Sequence, residues 1–90
     1  MILHYKITVK GRVQGVWFRK YTREAAISFD LNGFVKNQPD GNVYVEVEGQ
    51  EANLQHFTKW LEKGSPMSKV NEVNISEGGF VGFSGFEITR

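Results

Sequence analysis

Leu3-His-Tyr-Lys-Ile-Thr-Val9 is apolar at its odd positions (Leu3, Tyr5, Ile7, Val9) and polar at its even ones (His4, Lys6, Thr8). Strict alternation is the period of a strand that buries one face. Gly11-Arg12-Val13-Gln14-Gly15 breaks the pattern as a loop bounded by glycines, and beyond it Phe18, Tyr21, Thr22, Ala25, Ala26 and Phe29 recur at steps of three and four. That recurrence is the apolar stripe of a helix. The chain therefore opens as strand, loop, helix, and the rest of the fold is read from what this unit must pack against.

Asp30 to Gly33 ends the helix, with Asn32 and Gly33 as stop signals. Phe34-Val35-Lys36-Asn37 reads as a short strand, and Asp40-Gly41 is a hairpin signal. Val43, Val45 and Val47 alternate with Tyr44, Glu46 and Glu48, a third strand that Gly49 ends. From Gln50 to Lys63, Leu54, Phe57, Trp60 and Leu61 have helical spacing, and Gly64 and Pro66 terminate that helix. Val70 to Ile75 reads as a strand. Gly78, Gly79, Gly82 and Gly85 mark a flexible turn region, and Phe86 and Ile88 alternate with Glu87 and Thr89 in a short last strand. This order is βαββαβ plus a short C-terminal strand. It predicts an α+β, ferredoxin-like split β-α-β sandwich, with two helices on one face of a mostly antiparallel sheet. Residues 1–90 are read as one domain. In this topology the first and second strands run parallel with the third between them. Their C-terminal ends share one edge, about 9.5 Å apart at two strand spacings, so the glycine loop, Arg19 and Asn37 should face one site.

Composition narrows the classes. A chain of 90 residues buries about 60% of its unfolded surface, enough for one core without metal or disulfide staples. Eleven basic and ten acidic side chains leave a net charge of +1, a balance that calls for neither nucleic acid nor an anionic membrane. Lys6, Lys10, Arg12, Arg19, Lys20 and Arg23 crowd the first quarter of the chain, an excess suited to a small anion. No cysteine is present, which excludes thiolate chemistry and fits a reducing compartment. The start lacks signal-peptide character, and no apolar run approaches the roughly 18 residues of a membrane helix. A cytoplasmic protein with no membrane partner is expected. His4, on the polar face of the first strand, and His56, beside the apolar stripe of the second helix, read as surface residues. They share no carboxylate cluster, so no metal site is expected.

The chemistry-bearing segment is Gly11-Arg12-Val13-Gln14-Gly15-Val16-Trp17-Phe18-Arg19, between a strand and a helix start. Such a loop turns backbone N–H groups inward as an anion nest, and the helix start adds unpaired N–H groups and a positive dipole end. Arg19 adds a planar, two-pronged cation. The spacing alone leaves open a turn whose glycines serve only the chain path. Asn37, before Pro39-Asp40-Gly41, equally suits a plain turn residue. The loop lacks the Gly-Lys-Ser/Thr ending of a Walker A motif.

Residues 11–19 resemble the first signature of the acylphosphatase family, and Gly33-Phe-Val-Lys-Asn37-Gln-Pro-Asp-Gly41-Asn-Val43, continuing to Gly49, resembles the second. Phe83-Ser-Gly-Phe-Glu-Ile-Thr-Arg90 is similar to the family's C-terminus. The resemblance spans essentially the whole chain. It implies hydrolysis of the carboxyl–phosphate bond of a small acyl phosphate by direct in-line attack of water, with neither cofactor nor metal. The catalytic residues carried over are Arg19 and Asn37. The phosphate cradle is the backbone of Gly11, Arg12, Val13, Gln14, Gly15, Val16 and Trp17; Trp17 itself falls where the family accepts several residues. A monomer is expected. An RNA-binding role, which other ferredoxin-like sheets perform, is disfavoured because Tyr44 stands among Glu46 and Glu48 rather than basic side chains.

Overall fold

The computed structural model describes residues 1–89. Strand β1 (Ile2–Arg12) leads to helix α1 (Phe18–Ser28), then to β2 (Asn32–Asn37), β3 (Val43–Gln50), helix α2 (Glu51–Lys63), β4 (Lys69–Gly78) and β5 (Phe86–Ile88). The strands form one sheet in the order β4-β1-β3-β2-β5. Every pairing is antiparallel except β2 with β5. This is the expected ferredoxin-like arrangement. α1 lies over β2 and β5, and α2 over β3, β4 and β1.

The period-2 pattern sorts the sheet's two faces. Ile7, Val9, Val35, Val43, Val45 and Val47 are fully buried beneath the helices, against Phe18, Ala26, Leu54, Phe57 and Leu61. Trp60 is half-buried and stacks on Phe57. α1 ends where Asp30 adopts a left-handed φ of 59° and the Leu31 N–H donates to the Ala26 carbonyl at 2.9 Å. This closure satisfies orphan carbonyls of the last turn. The helix thus ends at the start of the expected Asp30–Gly33 stretch, and Asn32 and Gly33 already belong to β2.

The open face holds two departures from the sequence reading. His4 is buried, 3% exposed, not a surface residue. Its Nδ1 lies 2.7 Å from the Gly79 carbonyl oxygen, which only accepts, so Nδ1 donates to it. Its Nε2 lies 2.8 Å from Glu46 Oε1. The glycine-rich stretch after β4 is likewise tied down. Glu48, 4% exposed, accepts hydrogen bonds from the backbone N–H groups of Val81, Gly82 and Phe83. Phe83 packs edge-on against His4 and Phe34. Residues 79–85 therefore form a strap across the face opposite the helices. His56, by contrast, is exposed as expected, stacked on Phe29. Burial and donation to Glu46 push the Tyr44 phenol up to about 12, so it stays protonated at neutral pH.

Burial pushes the Glu48 carboxyl up, but the amides of Val81, Phe83 and Gly82, with His4 nearby, outweigh it and hold the group below the usual range. A depressed carboxylate contributes stability above the unfolded value, near 4.5, and that contribution is lost as pH falls through the lower folded value. Glu48→Gln should lower stability by about 2 kcal/mol or more, since charge-assisted bonds are lost and an amide N–H₂ meets backbone donors. Urea unfolding as a function of pH would check this: the acid-side loss of stability should be shallower in the variant.

Candidate functional site

The segment from β1 to α1 is pinned by Val13 and Val16, 1% and 8% exposed, whose side chains enter the core. Between and beyond them, Gly15 and Trp17 have positive φ of 73° and 62°, with Val16 on the ordinary side. Alternation of this kind turns successive N–H groups toward one concavity. Trp17 is also the N-cap of α1, makes no side-chain capping bond, and is followed by no acidic residue in the first turn. The first-turn N–H groups thus have neither an intrahelical partner nor a side-chain acceptor from the cap. A left-handed backbone at a bulky residue costs about 1–3 kcal/mol, and such strain clusters at functional sites.

Val13, Gly15, Trp17, Phe18, Arg19, Lys20, Asn37 and Ile88 line one cleft of about 560 Å³. Arg19, in the first turn of α1, and Asn37, the last residue of β2, are thereby brought together. Asn37 pairs with Val43 on β3. It shares the helix-side alternation of Val35, so its side chain reaches the α1 end of the sheet. Its Oδ1 is buried and makes no hydrogen bond within the protein. A buried acceptor left so costs about 1–3 kcal/mol, which makes it a ready acceptor for a ligand's O–H.

The segment read from the sequence as the cradle, residues 11–17, takes more than one local structure. Gly11 and Arg12 belong to β1, paired with Val70 and Lys69 past a register shift in the β1–β4 ladder. Gly11 serves that close approach: at its φ of 135° a Cβ would run into the Lys69 carbonyl. The side chains of Gln14 and Val16 are not part of the cleft lining. Instead Gln14 Nε2 donates to the carbonyls of Gln38 and Asn42, both at 2.8 Å. Those carbonyls flank the turn after Asn37, which is closed by bonds from Gln38 N–H to Asn42 and from Gly41 N–H to Gln38. Gln14 thus fastens the cradle loop to the hairpin that ends in the Asn37 strand. Phe18, Lys20 and Ile88 line the cleft without having been read as site residues. Lys20 was signalled only as one of the basic residues crowding the first quarter of the chain. Ile88 had no local signal, because its place depends on β5 pairing parallel to β2. Among the described residues, no three His, Cys, Asp or Glu side chains converge as metal ligands, and no helix is long and apolar enough to cross a membrane.

The Acylphosphatase family model matches residues 5–88. An acylphosphatase of Syntrophobacter fumaroxidans is 46% identical over 84 residues, covering 92% of this chain and 87% of that protein. The crystal structure of acylphosphatase from Bacillus subtilis superposes with a TM-score of 0.96 at 41% identity, over the full length of both chains. An acylphosphatase structure from Coxiella burnetii gives 0.95 at 34% identity, covering 98% of this chain and 93% of that one.

Gln14→Ala should cost about 1–2 kcal/mol of stability for two lost bonds. It should also speed amide exchange at Gly41 and in residues 13–17, measured by NMR. Gln14→Glu, which accepts but cannot donate, should behave the same way.

Proposed function

The chain belongs to the acylphosphatase family, and from that premise we propose that Arg19 and the main chain around Gly15–Trp17 hold the phosphoryl group while Asn37 places the attacking water. The overall reaction is hydrolysis of an acyl phosphate to a carboxylate and inorganic phosphate. The observation that carries the proposed roles is that Arg19 and Asn37 share one cleft, at an uncapped helix start flanked by two left-handed residues.

The leaving group is a carboxylate whose conjugate acid has a pKa of about 4. It departs without a proton, so the reaction asks for no general acid. What is left is to neutralise phosphoryl charge and to hold water in line with the leaving oxygen, which are tasks of positioning and electrostatics. The Arg19 guanidinium meets the phosphoryl oxygens with paired N–H donors. N–H groups of the helix start add a field that is in place before charge develops. Asn37 Oδ1 accepts one O–H of the water and so aims a water lone pair at phosphorus. The new P–O bond forms as the P–O bond to the acyl oxygen breaks, and its electron pair leaves on the carboxylate. A carboxamide is too weak a base to take the water's proton, so a phosphoryl oxygen receives it. With a guanidinium and main-chain amides supplying the positive field, no step is assigned to a metal ion. The proposal extends to a monomer, since both side chains come from one chain, and to the cytoplasm, whose reducing conditions suit a chain without cysteine.

Arg19→Ala should lower kcat/KM for benzoyl phosphate by about 10³-fold or more and weaken competitive inhibition by inorganic phosphate. Asn37→Ala should lower kcat by about 10²–10³-fold while leaving that inhibition nearly intact. Phosphate release measured with EDTA present separates these outcomes; equal, mild losses in both variants would argue against the roles. With the proton passing to substrate, kcat should show no protein group titrating near neutrality.

A further inference from the structure

Trp17 is 72% exposed and lines the cleft from the loop side. Its φ of 62° is one a glycine would hold without strain. What the tryptophan adds to the loop is therefore its ring, which Lys20 Nζ approaches to 5.8 Å from the centroid. Ile88, 43% exposed, lines the same cleft from the β5 edge, with Phe18 and Val13 buried beneath. The cleft is thus divided in chemistry. Arg19, the helix start and Asn37 make a polar end sized for a phosphoryl group. Trp17 and Ile88 make an apolar part, and a cleft of about 560 Å³ holds far more than a phosphate bearing an acetyl group.

We propose that Trp17, together with Ile88, is the acyl-group shelf of this enzyme and makes it prefer acyl phosphates with an aromatic or bulky apolar acyl group over acetyl or carbamoyl phosphate. The inference rests on the phosphoryl group lying at Arg19, as proposed above. With phosphorus there, the acyl substituent points out of the polar end and meets the indole face and the Ile88 side chain. An aromatic acyl group gains both area removed from water and an offset ring contact. The acyl group keeps its shape while the P–O bond breaks. The shelf therefore binds ground and transition states alike and acts through KM rather than kcat.

The test compares kcat and KM for benzoyl phosphate and acetyl phosphate in the wild type, Trp17→Gly, Trp17→Phe and Ile88→Ala. In Trp17→Gly the benzoyl-to-acetyl ratio of kcat/KM should fall about tenfold, equivalent to about 1.4 kcal/mol, mostly through a raised KM for benzoyl phosphate. Trp17→Phe, which keeps an aromatic face, should retain most of the ratio, and Ile88→Ala should lower it by a smaller factor. Thermal melts report folding, and glycine at this φ should not lower the midpoint. A ratio indifferent to Trp17 while both compounds are turned over would overturn this inference and leave the roles of Arg19 and Asn37 standing. Wild-type protein that turns over neither compound would overturn the reading of the site, and this shelf with it.

Discussion

Val43 sits at the point where the molecule's constraints meet. On β3 it is fully buried, with Val9 of β1 opposite it on one side and Asn37 of β2 opposite it on the other. β3 is wedged between two parallel strands, and its register decides where each of them ends relative to the other. A slip of one residue would turn Val43, Val45 and Val47 to the open face and push Tyr44, Glu46 and Glu48 under the helices. Burying those carboxylates without partners is far costlier than any gain from the slip. The hydrophobic pattern of one strand therefore places the exit of β1, which leads to the cradle and Arg19, beside the end of β2, which carries Asn37. The geometry of the cleft is here a consequence of core register.

The two faces of the sheet divide the labour. The helix side is dry and close-packed, and its upper edge supplies the cleft. The open side is polar, and its order comes from specific bonds rather than area. Glu48 gathers the N–H groups of Val81, Gly82 and Phe83, and His4 bridges Gly79 and Glu46. That strap delivers the chain to β5, whose Gly33↔Phe86 and Val35↔Ile88 pairings bring Ile88 to the cleft. The Arg23 Nε bond to the Phe86 carbonyl, at 3.0 Å, ties β5 back to α1. A buried carboxylate remote from the chemistry thus helps to shape one wall of the site.

The cleft also shows where the fold accepts unfavourable local structure. Trp17 holds a backbone angle that suits glycine, α1 begins without a side-chain cap, and Asn37 buries an unpartnered oxygen. Each is locally destabilising, and all three lie at the same cleft. In the proposed reaction an anionic substrate and its attacking water would relieve two of them directly, at the helix-start N–H groups and at the Asn37 amide oxygen.

The amino-acid sequence by itself determined the order of elements, which residues of each face the core, and the family signatures that single out Arg19 and Asn37. These are local properties, since strand and helix periods and turn residues act through neighbours a few positions apart. Strand exits meeting on one sheet edge followed too, because a split β-α-β order leaves few ways to close. Tertiary structure alone decided the rest. His4 lies on a polar alternation yet is buried, because its partners are 75 and 42 positions away. Gln14 reaches partners 24 and 28 positions away, and so its side chain fastens the loop to the turn after β2. Gly11 belongs to a strand because β4 lies against it. A glycine-rich stretch that reads as flexible is held by a carboxylate about 33–35 residues earlier. In each case a polar group's role was set by what lies across the sheet, and hydrogen-bond partners brought together by strand pairing leave no periodic trace along the chain.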